Sequence, residues 1–291
     1  MKWLCLIVTA ACIHYCVALS QSPDWGKVEQ IFGRKGSVSG SILKVTFPRS
    51  DLHVKIGEVA VEPGLALTSW VGFSPMEGAT MMMGDLVLLE SEVKPSMDAL
   101  VAHGLEVTAL HNHVLAEQPP VMYMHFGGMG DPVTLAEAIK DVLTKTGTPT
   151  GPPPLRPEPL SIPEWPGVDS IIGYKGNRNG RLLQFGIPRG DTIIENGMVI
   201  SPAMGMAIAI NIQSLGTTAA TTGDFVLTAG EVNPVLKALT AHGIAVTALH
   251  SHMLDESPRL LFMHFWGVDD PRNLARGLRA ALDKVNLARK R

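Results

Sequence analysis

Cysteine is nearly missing from this chain of 291 residues, and its three copies, Cys5, Cys12 and Cys16, all fall in the first sixteen positions. Beyond them no thiol is left to act as a nucleophile or to bind zinc as a thiolate. A metal would have to sit on imidazole and oxygen. An excess of either charge is missing too: 24 basic against 27 acidic residues leave a net charge of −3. That balance speaks against nucleic acid, where a domain pI above about 9 is expected. The chain has no P-loop, no Gly-x-Ser-x-Gly elbow, no His-Glu-x-x-His helix and no dinucleotide fingerprint, which removes the familiar catalytic signatures. It also lacks an Asn-x-Ser/Thr glycosylation site.

The chain is equally short of long hydrophobic runs. Lys2 is followed by an apolar stretch from Trp3 to Cys12 and by Ala18-Leu19-Ser20, the layout of a secretory signal peptide over residues 1–20. His14 and Tyr15 interrupt the stretch, leaving it short of the roughly 20 residues a membrane span needs. The expectation is a mature chain starting at Gln21, without a transmembrane segment, secreted or held in the periplasm or cell envelope. An uncleaved anchor and a lipid on Cys12 are the lesser alternatives. The lipid is disfavoured by Thr9, which stands where lipoprotein signals usually carry leucine.

What is present is a repetition. Thr108-Ala109-Leu110-His111-Asn112-His113, followed by Met124-His125-Phe126, returns 139 positions later as Thr247-Ala248-Leu249-His250-Ser251-His252 and Met263-His264-Phe265. Residues 85–143 align without gaps to 224–282, with Gly84-Asp85 matching Gly223-Asp224 and Glu92-Val93 matching Glu231-Val232. Upstream, Phe47-Pro48-Arg49 and Asp51 answer to Ile187-Pro188-Arg189 and Asp191 with one residue of slippage. A unit of this size is a duplicated domain, not a solenoid repeat. The expected organisation is repeat domain 1 over residues 21–146, a proline-rich spacer over 147–166 and repeat domain 2 over 167–291.

Each half reads as α+β and sheet-rich, ending strand–helix–strand–strand–helix. A short helix at Trp25 to Phe32 opens the first copy. Ser41 to Phe47, Val54 to Val61, Ala66 to Phe73 and Thr80 to Leu89 read as strands, as do Ala207 to Ile212 and Phe225 to Thr228. Helices are expected from Pro95 to Ala102 and from Pro234 to Ala241, with proline in the first turn and glycine past the end. Closing helices run from Pro132 to Leu143 and from Pro271 to Val285.

Strand alternation puts His111 and His113 on one face, together with Val107 and Ala109, and His250 and His252 on one face, with Val246 and Ala248. Hairpins centred on residues 118 and 257 would set His111 opposite His125 and His250 opposite His264. Cross-strand Cβ atoms about 4.5–5.5 Å apart let two imidazoles share one metal. A slip of one residue would dissolve the cluster. The opposite face, with Leu110, Met122, Met124 and Phe126, reads as core.

His-x-His with a third His across a hairpin, present twice, points to a divalent transition metal, with zinc favoured. The competing reading is buried histidines kept by descent. Glu117 and Glu256, at matching positions in the hairpin loop, are the candidate catalytic bases or fourth ligands; their plain alternative is a solvated loop. Glu92 and Glu231 suit helix N-termini, His103 and His242 suit helix C-termini, and Arg49 and Arg189 suit local pairing with the nearby aspartates. The methionines, Met81-Met82-Met83 included, suit adaptable core filling.

Gly223 to Leu227, Glu231-Val232-Asn233-Pro234, Thr247 to Met253 and Met263-His264-Phe265-Trp266-Gly267 resemble the LppY/LpqO family of exported bacterial proteins with a domain of unknown function. The likeness spans the mature chain. Gly127 stands where the family has tryptophan, and Ser251 where it usually has asparagine. The resemblance implies an exported location and a repeated domain, and brings no reaction with it. Two functional classes therefore stand. One is an exported metal-binding protein, extending to metal-assisted hydrolysis of an unknown small molecule. The other is a non-enzymatic envelope binding or scaffold protein.

Overall fold

The computed structural model describes residues 24–152 and 165–289. The expected signal peptide, all three cysteines and residues 153–164 of the expected spacer lie outside the described residues.

The first half runs α1 (Gly26–Phe32), β1 (Ser37–Ser39), β2 (Ile42–Pro48), β3 (Lys55–Ile56), β4 (Val59–Ala60), α2 (Pro63–Ala66), β5 (Thr68–Met76) and β6 (Ala79–Leu89). It continues with α3 (Glu90–Ala102), β7 (Glu106–His111), β8 (Glu117–Gln118), β9 (Val121–Gly130) and α4 (Pro132–Leu143). The second half opens with α5 (Val168–Ile172), β10 (Asn177–Asn179), β11 (Leu182–Pro188), β12 (Ile194–Glu195), β13 (Met198–Val199) and a 3-10 turn at Pro202–Met204. It then follows β14 (Ala207–Ser214), β15 (Ala219–Leu227), α6 (Ala229–Ala241), β16 (Ala245–His250), β17 (Leu261–Asp269) and α7 (Pro271–Leu282).

Each half builds a six-stranded antiparallel sheet, β1-β2-β5-β6-β9-β7 in one and β10-β11-β14-β15-β17-β16 in the other. The fold is the expected α+β duplication. Along β2, Leu43, Val45 and Phe47 alternate onto the helix-covered face, where they pack with Phe32, Leu100 and Ile139. Phe185, Ile187, Phe225 and Phe265 do the same against Val235, Leu239 and Leu278.

The helix-free faces of the two sheets turn toward each other. α2 of the first half rests on β14 and β15 of the second, while the 3-10 turn of the second rests on β2 and β5 of the first. Polar side chains lock this exchange. Asn211 donates to the Leu65 carbonyl at 3.0 Å, Gln184 to the Gly64 carbonyl at 3.0 Å and Gln213 to the Ala60 carbonyl at 2.7 Å. The approach is close: a Cβ at Gly64 would stand 2.5 Å from Leu182, and one at Gly72 would stand 2.8 Å from the sulfur of Met204.

Several boundaries differ from expectation. Helices α3 and α6 start five residues before Pro95 and Pro234, which sit inside them. The cause is a cap further upstream. Glu92 accepts the Leu89 N–H at 2.8 Å, and Glu231 accepts the Thr228 N–H at 2.7 Å, so the first turn forms there. The stretch Val54 to Val61 is not one strand but two short ones about Gly57, whose φ of 57° turns the chain back. Leu110 is 40% exposed because β7 is an edge strand, whereas Met124 and Phe126 are core as expected.

Arg49 and Arg189 pair locally, and they reach further than expected. The Arg49 guanidinium is fully buried between Asp51 (2.8 Å) and Glu92 (2.8 Å), and Arg189 lies likewise between Asp191 and Glu231. Glu92 and Glu231 then accept the backbone N–H of Gly147 and of Asn286, each at 2.7 Å. The segment after each closing helix is thereby tied to the start of α3 or α6.

Candidate metal centre

The hairpin register is not the expected one. Ala109 faces His125 and His111 faces Tyr123, while Val107 faces Phe126, so a β-bulge at Thr108 separates the two stretches. The loop also leaves the hairpin, since Glu117 and Gln118 pair with β3 instead. The second half repeats this, with Val246 opposite Phe265, Ala248 opposite His264 and His250 opposite Phe262. The bulge turns Val107 into the helix-side core. The slip from the expected pairing is two residues, and an even slip preserves the face. His111 and His125 therefore still share a face, with ring centroids 5.1 Å apart.

The six histidines form a single body. Across the halves His111 stacks on His250 at 3.5 Å between centroids, His113 on His264 at 3.7 Å and His125 on His252 at 3.7 Å. That pairing is what a pseudo-twofold axis between His111 and His250 generates. The bulge residue helps to close the seam, since the Thr247 hydroxyl donates to the His113 carbonyl. Tyr123 backs His113 at 3.3 Å, and Phe262 backs His252 at 3.5 Å.

Every one of the six Nε2 atoms is buried without a hydrogen-bond partner. Three Nδ1 atoms are engaged: His111 with the Asn112 carbonyl (3.1 Å), His250 with the Ser251 carbonyl (3.3 Å) and His264 with the Gly223 carbonyl (2.9 Å). An Nδ1 facing a carbonyl must carry the proton, which leaves the Nε2 lone pair free and aimed inward. Burial and mutual proximity hold the rings neutral. Burial, aided by His250, pushes His111 down to about 3, and burial pushes His250 down to about 4. His113, His125, His252 and His264 fall well below their usual value, burial being the first cause.

Two carboxyls adjoin the rings. Asp85 lies directly opposite His125 and Asp224 directly opposite His264 in the sheet ladders. One Asp85 oxygen is 3.8 Å from His125 Nε2, and Asp224 is 4.0 Å from both His252 and His264. Each keeps one buried oxygen unpartnered. Burial raises both pKa values well above the usual carboxylate range, and the Asp224 charge adds to the effect on Asp85.

Donor atoms converge in three groups within 4.8 Å: His111, His113 and His125; His111, His250 and His252; Asp224, His252 and His264. All six sequence-predicted ligands are thus brought together. Glu117 and Glu256 are not among these groups. One Glu117 oxygen accepts the Val121 N–H at 3.2 Å, while burial pushes its carboxyl up to about 7. Glu256 accepts from the Leu260 N–H at 2.8 Å and from Arg259 at 3.2 Å. Both carboxylates brace their own loop. Sequence reasoning overlooked Asp85 and Asp224, although an ionisable residue recurring within an apolar strand in both copies was a usable signal.

The centre forms one wall of a cavity of about 610 Å³ between the sheets, reached by Asp85, His113, His125, Asp224, His252 and His264. A volume of this size suits a small organic molecule.

The family described as Domain of Unknown Function (DUF1259) matches residues 26–145 and again residues 166–284. The chain belongs to this family. The two matched segments coincide with the two halves, so each family unit contributes one His-x-His and one cross-strand His to the histidine cluster, with an Asp adjoining it. No curated protein matches the chain. Among solved structures, a trimeric bacterial microcompartment shell protein, PduB, is 13% identical, with 86% of this chain and 89% of that one covered and a TM-score of 0.21. EtuB from Clostridium kluyveri is 10% identical, covers 86% and 88% of the two chains and has a TM-score of 0.20. At such scores neither likeness carries an argument about fold or function.

Proposed function

We propose that the protein binds divalent transition metal at a centre assembled jointly by its two halves, with zinc favoured. One observation carries this reading: the six histidines, with Asp224, converge in groups while every Nε2, one Asp224 oxygen and one oxygen of the adjoining Asp85 are buried without a hydrogen-bond partner. Orphaned polar atoms in such number are costly, since each forfeits about 1–3 kcal/mol of solvation without return. Structural histidines would have found partners; a cation held by one of these groups would satisfy its donors together. Neutral imidazole with carboxylate is a donor set that suits zinc, copper, iron or nickel. In the fold burial disfavours the ionised form of both carboxyls, and a divalent cation would reverse that preference and draw them in as anionic ligands.

The adjoining cavity supports an extension to metal-assisted hydrolysis of a small molecule. There the bound metal would supply Lewis acidity, and Asp85 and Asp224, nearer the rings than Glu117 or Glu256, would hold or move the proton. Export belongs to the same reading. It rests on Lys2, the apolar run to Cys12 and Ala18-Leu19-Ser20, and on the resemblance to the LppY/LpqO proteins. Among the described residues no helix is long and apolar enough to cross a membrane.

The deciding experiment is elemental analysis of protein purified without chelators. At least one transition-metal ion per chain is expected, with loss of more than nine-tenths of it in the His111→Ala/His250→Ala double variant. Less than about half an ion per chain, with no change in the double variant, would favour the binding or scaffold alternative. N-terminal sequencing of the native protein should begin at Gln21; a start at Met1 would remove the export reading.

A further inference from the structure

The cavity beside the histidines has a second chemical feature that the metal reading does not use. Lys44, on the helix-free face of β2, is the one lysine or arginine among the residues lining it. Its ammonium lies 3.9 Å from the centre of the Trp70 ring and forms no ion pair with any carboxylate among the described residues. The second half has Gln184 at the equivalent place, and that amide is spent on the Gly64 carbonyl and on Asn211. The positive charge therefore stands on the first half's sheet only, two strands away from Asp85 and with no counterpart on the second. Ile42, Leu65, Trp70, Pro202 and Ala209 supply apolar surface between them.

We propose that this cavity binds a small organic acid, whose anionic head pairs with Lys44 while its apolar body lies along the inter-sheet walls toward the histidine centre. A half-buried cation without an ion-pair partner loses part of its solvation, and the ring of Trp70 offsets some of that cost, about 0.5–2 kcal/mol. A carboxylate or similar oxyanion arriving in the cavity would supply the missing partner in a charge-assisted hydrogen bond. Burial pushes the Lys44 ammonium down to about 8, the nearby Asp85 opposing the shift, so the charge is still present at pH 7. The volume of about 610 Å³ accommodates such a molecule with room to spare. As a statement about substrate class at the metal centre, the proposal rests on the metal reading. As a statement about anion binding at Lys44, it stands apart from it.

The test is isothermal titration of the full chain with benzoate and with benzamide, its uncharged isostere. Binding of benzoate at least tenfold tighter than benzamide is expected in the native sequence. Lys44→Gln, which copies the second half, should erase that preference, and Lys44→Arg should keep most of it. Absence of benzoate binding, equal affinity for the two probes, or a preference that survives in Lys44→Gln would each overturn the proposal; the last would mean that the carboxylate binds elsewhere, the metal included. Metal content measured on the same samples separates the two readings. Full metal with a lost preference in Lys44→Gln upholds both. A Lys44-dependent preference in protein without metal upholds the anion site and removes the metal centre.

Discussion

The two halves agree in the histidines at their seam and differ in residues around them, one pair of which faces the cavity. Both keep His-x-His, the cross-strand His, the aspartate opposite it, the bulge at Thr108 or Thr247 and the buried arginine network. They differ at Tyr123 against Phe262, Asn112 against Ser251, Gly127 against Trp266 and Lys44 against Gln184. The geometry explains the pattern. Because His111 stacks on His250 and His125 on His252, the histidines of the two halves pack as one cluster, and one of the three converging donor groups draws on both halves. The differences at Ser251 and Gly127 raise the question of whether the halves are equally active. If the centre is shared, as proposed, that question dissolves, and Lys44 against Gln184 is a difference the cavity wall is free to carry.

The sharpest way to break this picture is to alter the dyad pair one residue at a time. His111 and His250 both belong to the donor group that spans the halves, which His113 does not join, so His111→Ala should lower bound metal more than His113→Ala. If the centre is shared, His111→Ala and His250→Ala should be equivalent within a factor of about two. Elemental analysis that found one of them harmless would mean two independent sites, with only one of them occupied.

Acid should act on the centre as a unit. The six imidazoles have folded pKa values below the usual 6.5, so as pH falls the unfolded chain takes up protons that the folded chain refuses. Stability is then lost on acidification, since it rises with pH wherever the unfolded state binds more protons. Asp85, Asp224, Glu117 and Glu195 oppose this, because their raised values make the fold bind protons earlier than the unfolded chain. Six groups outweigh four. Chelator-treated protein should lose stability steeply between about pH 6.5 and pH 4, where His250 itself begins to protonate in the fold. The slope should be several kcal/mol per pH unit, at about 1.4 kcal/mol for each unmatched proton. Thermal melts in EDTA from pH 7.5 to 4.5 measure it, and a flat profile would deny that the rings are buried together.

The arginine networks offer a smaller contrast. Arg49 uses all three nitrogens, including Nε to Asp51 at 3.0 Å, whereas the Nε of Arg189 is buried without a partner. Arg49→Met strands Asp51 and Glu92 and should cost about 3–5 kcal/mol by urea unfolding, the usual penalty for breaking a buried pair. Arg189→Met should cost measurably less. Equal losses would show that the extra Nε bond contributes nothing.

Much of this was legible from residue spacing. The repeat, the six ligands and the closing helices follow from local patterns, and Asp131-Pro132 is a plain start signal: the Asp131 side chain accepts the N–H groups of Val133 and Thr134. What was not legible depended on tertiary placement. The bulge at Thr108 has no local signature, and the register it sets is decided by β8 leaving the hairpin to pair with β3. Stacking across the halves requires each sheet to present its helix-free face to the other, which periodicity within one strand cannot reveal. Glu117 stands out by its position in the loop, where one of its oxygens accepts the Val121 N–H and the other is buried without a partner, while Asp85 is concealed among the apolar residues of β6.

The smallest test exchanges one half's residue for the other's. Tyr123 stacks on His113 and donates its hydroxyl to the Ala66 carbonyl at 3.2 Å, at the end of the helix that crosses onto the second half. Phe262 plays the stacking part alone against His252. Tyr123→Phe should therefore keep the ring contact and lose one hydrogen bond, costing about 1 kcal/mol in urea unfolding. Bound metal should stay unchanged, because the second half already holds its share of the centre with phenylalanine. A fall in metal content would instead make the phenol a member of the donor set, and the two halves would then contribute unequally to the site they share.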